Sequence, residues 1–180
     1  MRVVAGRFGG RRLQAPKGDG TRPTSDRVRE ALFSILGDLT GARVLDLFAG
    51  TGALGIEALS RGAAHATFVE RDRRALDVLR ANLSQLGLEP GESVVHPVPA
   101  RRALQDAARS HDAYDLALLD PPYRLAADLG PELTAPLRAV LAPGARVVAE
   151  SDRRSPLRLE MPEITQRRYG DTLLTLFEVP

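Results

Sequence analysis

The 180-residue sequence has no cysteine and no long hydrophobic run. The absence of cysteine excludes disulfide bonds, thiolate metal sites and cysteine nucleophiles. No apolar stretch approaches the roughly 20 residues that a membrane-spanning helix needs, and the N-terminal segment lacks a signal-peptide pattern. We therefore expect a cytoplasmic, monomeric protein with no membrane association, and its length suits one compact unit with a substantial core.

Lysine is almost absent as well, because Lys17 is the only one among 25 basic side chains. Residues 1–30 carry eight basic and three acidic side chains, a net charge of +5, whereas the other 150 residues carry a net charge of −3. A basic arm on a nearly neutral body favours a polyanionic partner such as RNA, although a solvated charged surface is the alternative. The candidate RNA-binding residues are Arg7, Arg11, Arg12, Lys17, Arg22, Thr24 and Arg27.

Hydrophobic periodicity divides the chain into an N-terminal extension, residues 1–40, and a main unit, residues 41–180. In the extension, Gly9-Gly10 predicts the turn of a small hairpin with strands Arg2–Arg7 and Arg11–Ala15. An amphipathic helix follows, for which Thr24 or Ser25 is the predicted N-cap. The predicted buried face of this helix comprises Val28, Ala31, Leu32, Ile35 and Leu36.

From residue 43 onward, strands and helices alternate, which predicts a Rossmann-like, doubly wound, mostly parallel sheet of the α/β class. Gly170-Asp171 then predicts an antiparallel C-terminal hairpin, which brings the sheet to seven strands. The last helix before this hairpin is predicted to begin at Pro131 or Pro136 and to end near Ala142. The five parallel strands are predicted over Val44–Phe48, Ala66–Glu70, Ser93–Val98, Leu116–Asp120 and Arg146–Glu150.

A glycine-rich loop, G-x-G-x-x-G from Gly50 to Gly55, follows the first strand, and Glu70 ends the next one. This arrangement is typical of nucleoside cofactor sites, where glycines let the backbone approach the ligand and the acidic residue binds the ribose hydroxyls. Asp46 lies within the end of the first strand, four residues before Gly50, and a carboxylate there disfavours a pyrophosphate but suits the cationic cofactor S-adenosylmethionine. No metal is required. The candidate cofactor-binding residues are Asp46, Phe48, Ala49, Gly50, Thr51, Gly52, Glu70 and Arg71.

The tetrapeptide Asp120-Pro121-Pro122-Tyr123 follows the predicted fourth strand, which lies beside the first at the switch point of a doubly wound sheet. Asp120 is expected to accept a hydrogen bond from an exocyclic amine and to stabilise the charge that develops on its nitrogen. The carbonyl of Pro121 accepts the second amine hydrogen, and Pro122 helps to fix the backbone. Tyr123 offers a face on which an extruded base can stack. These four candidate catalytic residues predict a methyltransferase that acts on a nucleic-acid base.

Taken together, these motifs resemble the bacterial methyltransferases that modify the 2-amino group of one guanine in 16S, small-subunit ribosomal RNA. The resemblance implies that S-adenosylmethionine lies over the loop from Asp46 to Gly52 and that the guanine lies at Asp120. It also implies an RNA partner within an assembled or assembling ribosomal subunit. The stretches that carry it are Val4–Leu13, Arg22–Glu30, Asp46–Arg61, Val69–Asp72 and Asp120–Tyr123.

Three alternatives stay open at this point. An adenine-amino DNA methyltransferase shares the Asp-Pro-Pro-Tyr motif, and a protein-glutamine methyltransferase would more often have Asn in place of Asp120. A ribosome-assembly RNA chaperone could keep the fold without catalysis. The sequence also departs from the family where an acidic adenine contact often follows the third strand, because that position reads Val98-Pro99-Ala100.

Overall fold

The computed structural model describes residues 1–15, 25–122 and 126–180, apart from the side chains of residues 127 and 128. The described strands are β1 (Arg43–Asp46), β2 (His65–Val69), β3 (Ser93–His96), β4 (Tyr114–Leu119), β5 (Leu141–Asp152), β6 (Glu163–Tyr169) and β7 (Thr172–Glu178). They form one sheet in the order β3-β2-β1-β4-β5-β7-β6. Strands β1 to β5 pair in parallel, and β7 is antiparallel to β5 and β6. The predicted seven-stranded, mostly parallel sheet is therefore confirmed.

Helices cover both faces of this sheet, as the alternation of strands and helices predicts. The described helices are α1 (Asp26–Leu36), α2 (Ala53–Ser60), α3 (Arg73–Leu86), α4 (Ala100–Arg109) and α5 (Ala126–Arg138). The apolar residues of α1, α2 and α3 pack on one face, against Val44, Leu118 and Val148. Those of α4 and α5 pack on the other face, against Leu45 and Ala117. Among the described residues, no helix is long and apolar enough to cross a membrane.

Helix α1 begins where the sequence predicts, with Ser25 as its N-cap. Its buried face differs from the predicted one, because Ile35 is 37 % exposed whereas Arg29 is fully buried. The guanidinium group of Arg29 donates to Asp26 Oδ1 at 2.7 Å and to the carbonyl of Arg2. Hydrophobic periodicity could not find a buried cation, since it scores Arg29 as a surface residue.

The N-terminal hairpin is present, but the two strands predicted for it are wrong. Arg2 and Arg12 form a single isolated bridge, closed by hydrogen bonds from Val3 N to Arg11 O and from Gly10 N to Val3 O. The segment between them is held by α2 instead, because Glu57 accepts hydrogen bonds from Val4 N and Ala5 N at 2.7 and 3.0 Å. A fully buried carboxylate thus replaces the ladder that alternation alone would predict.

Two predictions near the C-terminus are also wrong. Helix α5 begins at Ala126 and ends at Arg138, so that it contains both Pro131 and Pro136. Leu133 and Leu137 bury this helix against the sheet, and that burial offsets the hydrogen bonds which the prolines remove. The fifth strand is longer than the predicted Arg146–Glu150, because β5 begins at Leu141 and passes through Pro143 and Gly144 in an irregularity of its pairing with β4.

Candidate active site

The glycine-rich loop joins β1 to α2 at the carboxyl edge of the sheet. Gly50 and Gly52 have φ angles of 54° and 84°, in the left-handed region that glycine occupies without strain. A Cβ atom at Gly50 would meet no other atom within 4 Å, so that the backbone there borders open space. Gly55 has a different role, because a Cβ there would lie 2.3 Å from Phe68 Cε1 and 3.1 Å from Asp46 Oδ2. Gly50 therefore shapes the open side of the loop, Gly52 also permits close packing because a Cβ there would lie 2.4 Å from Leu79 Cδ1, and Gly55 lets α2 pack on the sheet.

Glu70 holds the glycine-rich loop in place through a hydrogen bond to its backbone. Its Oε2 atom accepts a hydrogen bond from Gly50 N at 2.8 Å, and its Oε1 atom accepts from Arg71 N and Asp72 N at 2.7 and 2.8 Å. A carboxylate has about four acceptor positions, so that roughly one is left for another donor. Glu70 thus holds the ends of β1 and β2 together while its side chain stays half-buried.

Asp46, the last residue of β1, is fully buried beneath the loop. Its Oδ2 atom accepts a hydrogen bond from Gly55 N at 2.9 Å. Burial is the main cause that raises the pKa of this carboxyl to about 7, the hydrogen bond from Gly55 N opposes it, and the charge of Glu70 contributes a smaller increase. The group is therefore poised to ionise when a cation binds nearby.

Asp120 follows β4 directly, and Pro121 is buried whereas Pro122 is exposed. Burial raises the pKa of the Asp120 carboxyl well above its usual range, and the charges of Glu150 and Asp46 raise it further. Asp46 pairs with Leu118 in the register of β1 and β4, which brings both carboxylates to one edge of the sheet. Asp46, Asp120, Glu150 and Glu70 thus place four acidic side chains at this edge, and the binding of a cation would favour their ionised forms.

Two functional candidates at this edge are absent from the sequence predictions. Glu150 ends the apolar segment of β5, and Arg29 of α1 lies near enough that Glu150 and Glu57 oppose the lowering of its pKa by burial. Among the described residues, Arg29 Nε and Nη1 have no hydrogen-bond partner. The sequence signal for Glu150 is an acidic residue at the end of an apolar run, but it indicates a site residue only when β5 is known to lie beside β4.

The remaining predicted cofactor residues lie along the same loop. Phe48 and Thr51 are half-buried, Ala49 is buried, and Arg71 is exposed beside Glu70. The carbonyl of Thr51 accepts a hydrogen bond from Asn82 Nδ2 at 2.9 Å, which ties the loop to α3. The structure therefore brings all eight predicted residues to one edge, and their contacts with a cofactor stay a prediction.

The predicted RNA-binding arginines divide into two groups. Arg7 pairs with Glu92, and Arg11 Nη1 donates to Leu86 O at 3.1 Å, so that both contact the body of the protein. Arg12 and Arg27 are exposed, and their side chains have no partner among the described residues. The predicted site residues Lys17, Arg22, Thr24 and Tyr123 lie outside the described residues.

Comparison with known proteins agrees with this geometry. The model of the family described as "Conserved hypothetical protein 95" matches residues 1–178. The chain belongs to this family. It is 40 % identical to the "Putative rRNA methyltransferase YlbH" of Bacillus subtilis over 97 % of this chain and 91 % of that protein. It is 42 % identical to the "Ribosomal RNA small subunit methyltransferase D" of Escherichia coli over 69 % of this chain and 61 % of that protein.

Solved structures show the same relationship. A putative methyltransferase from Escherichia coli superposes with a TM-score of 0.82 and 34 % identity, over 99 % of this chain and 97 % of that one. An RNA methyltransferase from Salinibacter ruber in complex with S-adenosyl-L-homocysteine has a TM-score of 0.67 at 19 % identity, over 88 % of this chain and 94 % of that one. The second likeness concerns the fold alone. The resemblance to the ribosomal RNA methyltransferases and the methyltransferase interpretation of the sequence are confirmed.

Proposed function

We propose that the chain transfers a methyl group from S-adenosylmethionine to the exocyclic 2-amino group of a guanine in small-subunit ribosomal RNA. The observation that carries this proposal is the group of carboxylates at the ends of β1, β2, β4 and β5. Burial and mutual repulsion raise the pKa values of Asp46 and Asp120, so that a nearby cation would be strongly favoured. S-adenosylmethionine carries a sulfonium and an ammonium group, whereas the pyrophosphate of a dinucleotide would be repelled.

The loop fits the neutral part of this cofactor as well. The open space in front of Gly50 admits a ligand against the backbone, and Glu70 keeps an acceptor position for a ribose hydroxyl. The family relatives named above are methyltransferases, and one solved structure with the same fold holds S-adenosyl-L-homocysteine. When bound, the cofactor supplies a methyl group that is activated by the positive charge on sulfur.

The residues of this chain would then orient the amine and move its proton. An exocyclic amine is a weak nucleophile, because its lone pair is delocalised into the ring. Asp120 accepts a hydrogen bond from the amine, and the carbonyl of Pro121 accepts the second one, which directs the lone pair at the methyl carbon. With the cofactor bound, the nitrogen would accept its methyl group, and the electron pair of the S–C bond would stay on sulfur. The nitrogen then carries a surplus proton, which Asp120 is basic enough to accept.

The guanine specificity rests on the resemblance of the sequence motifs to the methyltransferases that modify a guanine of 16S ribosomal RNA. Tyr123, which lies outside the described residues, supplies the stacking face in this proposal. The relative from Escherichia coli is named for the small ribosomal subunit, and that substrate is the one that we assign.

The test is to incubate the protein with labelled S-adenosylmethionine and, separately, with small ribosomal subunits that lack the modification, the same RNA without proteins, transfer RNA and DNA. We expect label in the small-subunit RNA, recovered after digestion as 2-methylguanosine. Label in adenine or DNA would overturn the assignment of base and substrate. Cofactor binding by calorimetry without any transfer would instead support an RNA chaperone that has lost catalysis.

A further inference from the structure

A second candidate site lies along α3, next to the residues that follow Glu70. It is a cleft of about 360 Å³ lined by Arg71, Arg73, Leu76, Asp77, Arg80 and Pro97. Residues 73, 76, 77 and 80 repeat at the spacing of one helical face, and Pro97 faces them from the loop after β3. The cleft therefore opens at the same edge of the sheet as Glu70, which directly precedes Arg71.

The guanidinium groups of this cleft have no partners among the residues that the structure describes. Arg71, Arg73 and Arg80 are exposed, and among the described residues none of their side chains forms an ion pair or a hydrogen bond. Asp77, although spaced for pairing with both Arg73 and Arg80, forms no ion pair with either in this part of the structure. Three cations thus share a concave surface with one carboxylate, an arrangement that attracts an anion.

Helix α4 shows that this sequence can neutralise its surface arginines. Arg102 Nε lies 2.7 Å from Asp106 Oδ2, and Arg109 Nη1 lies 2.9 Å from Asp106 Oδ1, so that one aspartate serves two arginines. Helix α3 has two arginines and one aspartate at the same spacing, yet among the described residues neither Arg73 nor Arg80 forms an ion pair. Both guanidinium groups of α3 therefore remain available to an external anion.

The position of the cleft and the spacing of its arginines indicate which type of anion it suits. Two strand spacings of about 4.8 Å separate the end of β2 from the end of β4, so that Glu70, which directly precedes Arg71 of the cleft, ends its strand about 10 Å from the end of β4. Arg73 and Arg80 are seven residues apart, which separates them by about 10 Å along the helix. Two cations at this distance suit successive groups of an extended polyanion better than one small ion, and arginine binds phosphate through paired donors.

We propose that the cleft between α3 and the loop after β3 binds backbone phosphates of the substrate RNA next to the target nucleotide. This proposal rests on the proposed function, because it assigns the RNA a path from Asp120 past the cofactor loop to α3. It adds a second basic contact to the one predicted for the N-terminal arm. The arm packs against the last turns of α3, where Arg11 Nη1 donates to Leu86 O at 3.1 Å, so that the two basic surfaces would hold the RNA at successive points while the target base is extruded.

The test compares the double variant Arg73→Gln/Arg80→Gln with the control Arg102→Gln/Arg109→Gln, which removes the same charge from α4. We expect only the α3 variant to raise the dissociation constant of small-subunit RNA severalfold. Its log–log salt dependence should become shallower by about 0.7–0.9 for each lost phosphate contact. KM for the RNA should increase with little change in kcat, and the affinity for S-adenosyl-L-homocysteine should stay the same. The Arg73→Lys/Arg80→Lys variant should keep the salt dependence of the wild type.

Two results would overturn the proposal. In the first, the α3 variant and the control bind RNA alike. In the second, the affinity for S-adenosyl-L-homocysteine falls together with the RNA affinity, which would assign the cleft to the cofactor. Thermal unfolding of each variant separates these results from a loss of fold. The proposed function fails on different evidence, namely if the wild-type protein transfers no methyl group to the same RNA.

Discussion

Asp120 and Glu150 lie side by side at the carboxyl ends of two neighbouring parallel strands. Leu119 pairs with Ala149 in the register of β4 and β5, and the next residues along each strand are these two acids. The charge of Glu150 contributes more than that of Asp46 to the raised pKa of Asp120, after burial. The pKa of Asp120 therefore depends in part on Glu150, a residue of β5, which belongs to none of the sequence motifs.

The first prediction follows from this contact. Asp120 acts as an acceptor only when it is ionised, so that methyl transfer is lost as the pH falls through its pKa. Replacing Glu150 by Gln removes a like charge and lowers that pKa. We expect the acidic limb of the pH profile of kcat/KM to move to lower pH, with a lower plateau because Asp120 becomes a weaker base.

The matched control is Asp152→Asn, which removes a carboxylate from the same strand one step further along the same face. Asp152 accepts a hydrogen bond from Arg154 N at 2.8 Å and does not contribute to the pKa of Asp120. Its pH profile should match that of the wild type. An acidic limb that stays in place or moves to higher pH in Glu150→Gln would show that Glu150 does not act on Asp120.

The second prediction concerns Asp120 itself. Replacement by Ala removes both the hydrogen-bond acceptor and the charge that stabilises the methylated nitrogen. We expect kcat to fall by about 100-fold or more, the scale for the loss of one electrostatic stabiliser. Cofactor affinity, measured by calorimetry, should change little. Asp120→Asn keeps the shape of the side chain and one acceptor, so that its kcat should lie between those of the wild type and of Asp120→Ala. A decrease in kcat of less than about tenfold in Asp120→Ala would refute this role of Asp120.

The third prediction uses the pKa of Asp46, which burial raises to about 7. A cationic cofactor favours the ionised form, so that binding below this pH includes the release of a proton. The affinity for S-adenosylmethionine should weaken by up to about tenfold for each pH unit below this value. Asp46→Asn, which can still accept the hydrogen bond from Gly55 N, should bind more weakly but with a flatter pH dependence. An equally steep dependence in this variant would assign the proton to another group.

The raised pKa of Asp46 also predicts how the free energy of unfolding of the cofactor-free protein depends on pH. Because the pKa of Asp46 is higher in the folded state than in the unfolded chain, the folded protein binds more protons between about pH 4 and pH 7. This contribution to the free energy of unfolding therefore decreases as the pH rises through that window. Urea unfolding of Asp46→Asn should lack this part of the pH dependence.

The motifs predicted the parts of the site that belong to continuous stretches of sequence. Gly50, Glu70 and Asp120 were found because a strand end, a turn and a helix follow one another there, and parallel pairing brings the strand ends together. Glu150 and Arg29 were not found, because their importance depends on which strand lies beside β4 and which helix covers that face. Such relationships between distant segments have no local period in the sequence.

The fold shows the same division between local and distant effects. The alternation of strands and helices predicts a helix after each of β2 and β3, and helices α3 and α4 are present there because local apolar residues form one face of each. Helix α5 was predicted wrongly because Pro131 and Pro136 are local signals, whereas the burial of Leu133 and Leu137 that offsets them is not. The N-terminal strands failed for the same reason, because the buried carboxylate of Glu57 takes the backbone hydrogen bonds.

The fourth prediction separates the two roles of Glu70. Glu70→Gln replaces one acceptor oxygen by a donor, which then faces a backbone N–H of Gly50 or of Arg71 and Asp72. We expect the dissociation constant for the cofactor to rise by about 10- to 100-fold, given about 1.5–3 kcal/mol for a hydrogen bond to a charged group. The control Asp72→Asn removes a nearby charge but can still cap α3, and it should bind normally. Equal affinities in both variants would contradict a role of Glu70 in binding.

The fifth prediction concerns the N-terminal arm. Val3, Phe8 and Leu13 are buried in the main core, and Glu57 depends on Val4 N and Ala5 N for its hydrogen bonds. Deleting residues 1–15 would expose this core and leave a buried carboxylate with fewer donors, so that we expect a marked decrease in Tm. Deletion therefore cannot test RNA binding, and exposed side chains must be replaced instead.

The suitable variant is Arg12→Gln/Arg27→Gln, because neither side chain has a partner among the described residues. Its Tm should stay unchanged. Its affinity for small-subunit RNA should fall, and the log–log salt dependence should become shallower by about 0.7–0.9 for each lost phosphate contact. The α4 variant Arg102→Gln/Arg109→Gln again controls for net charge. If both variants show the same salt dependence, the arm only covers the sheet, and the excess of positive charge in residues 1–30 has no part in RNA binding.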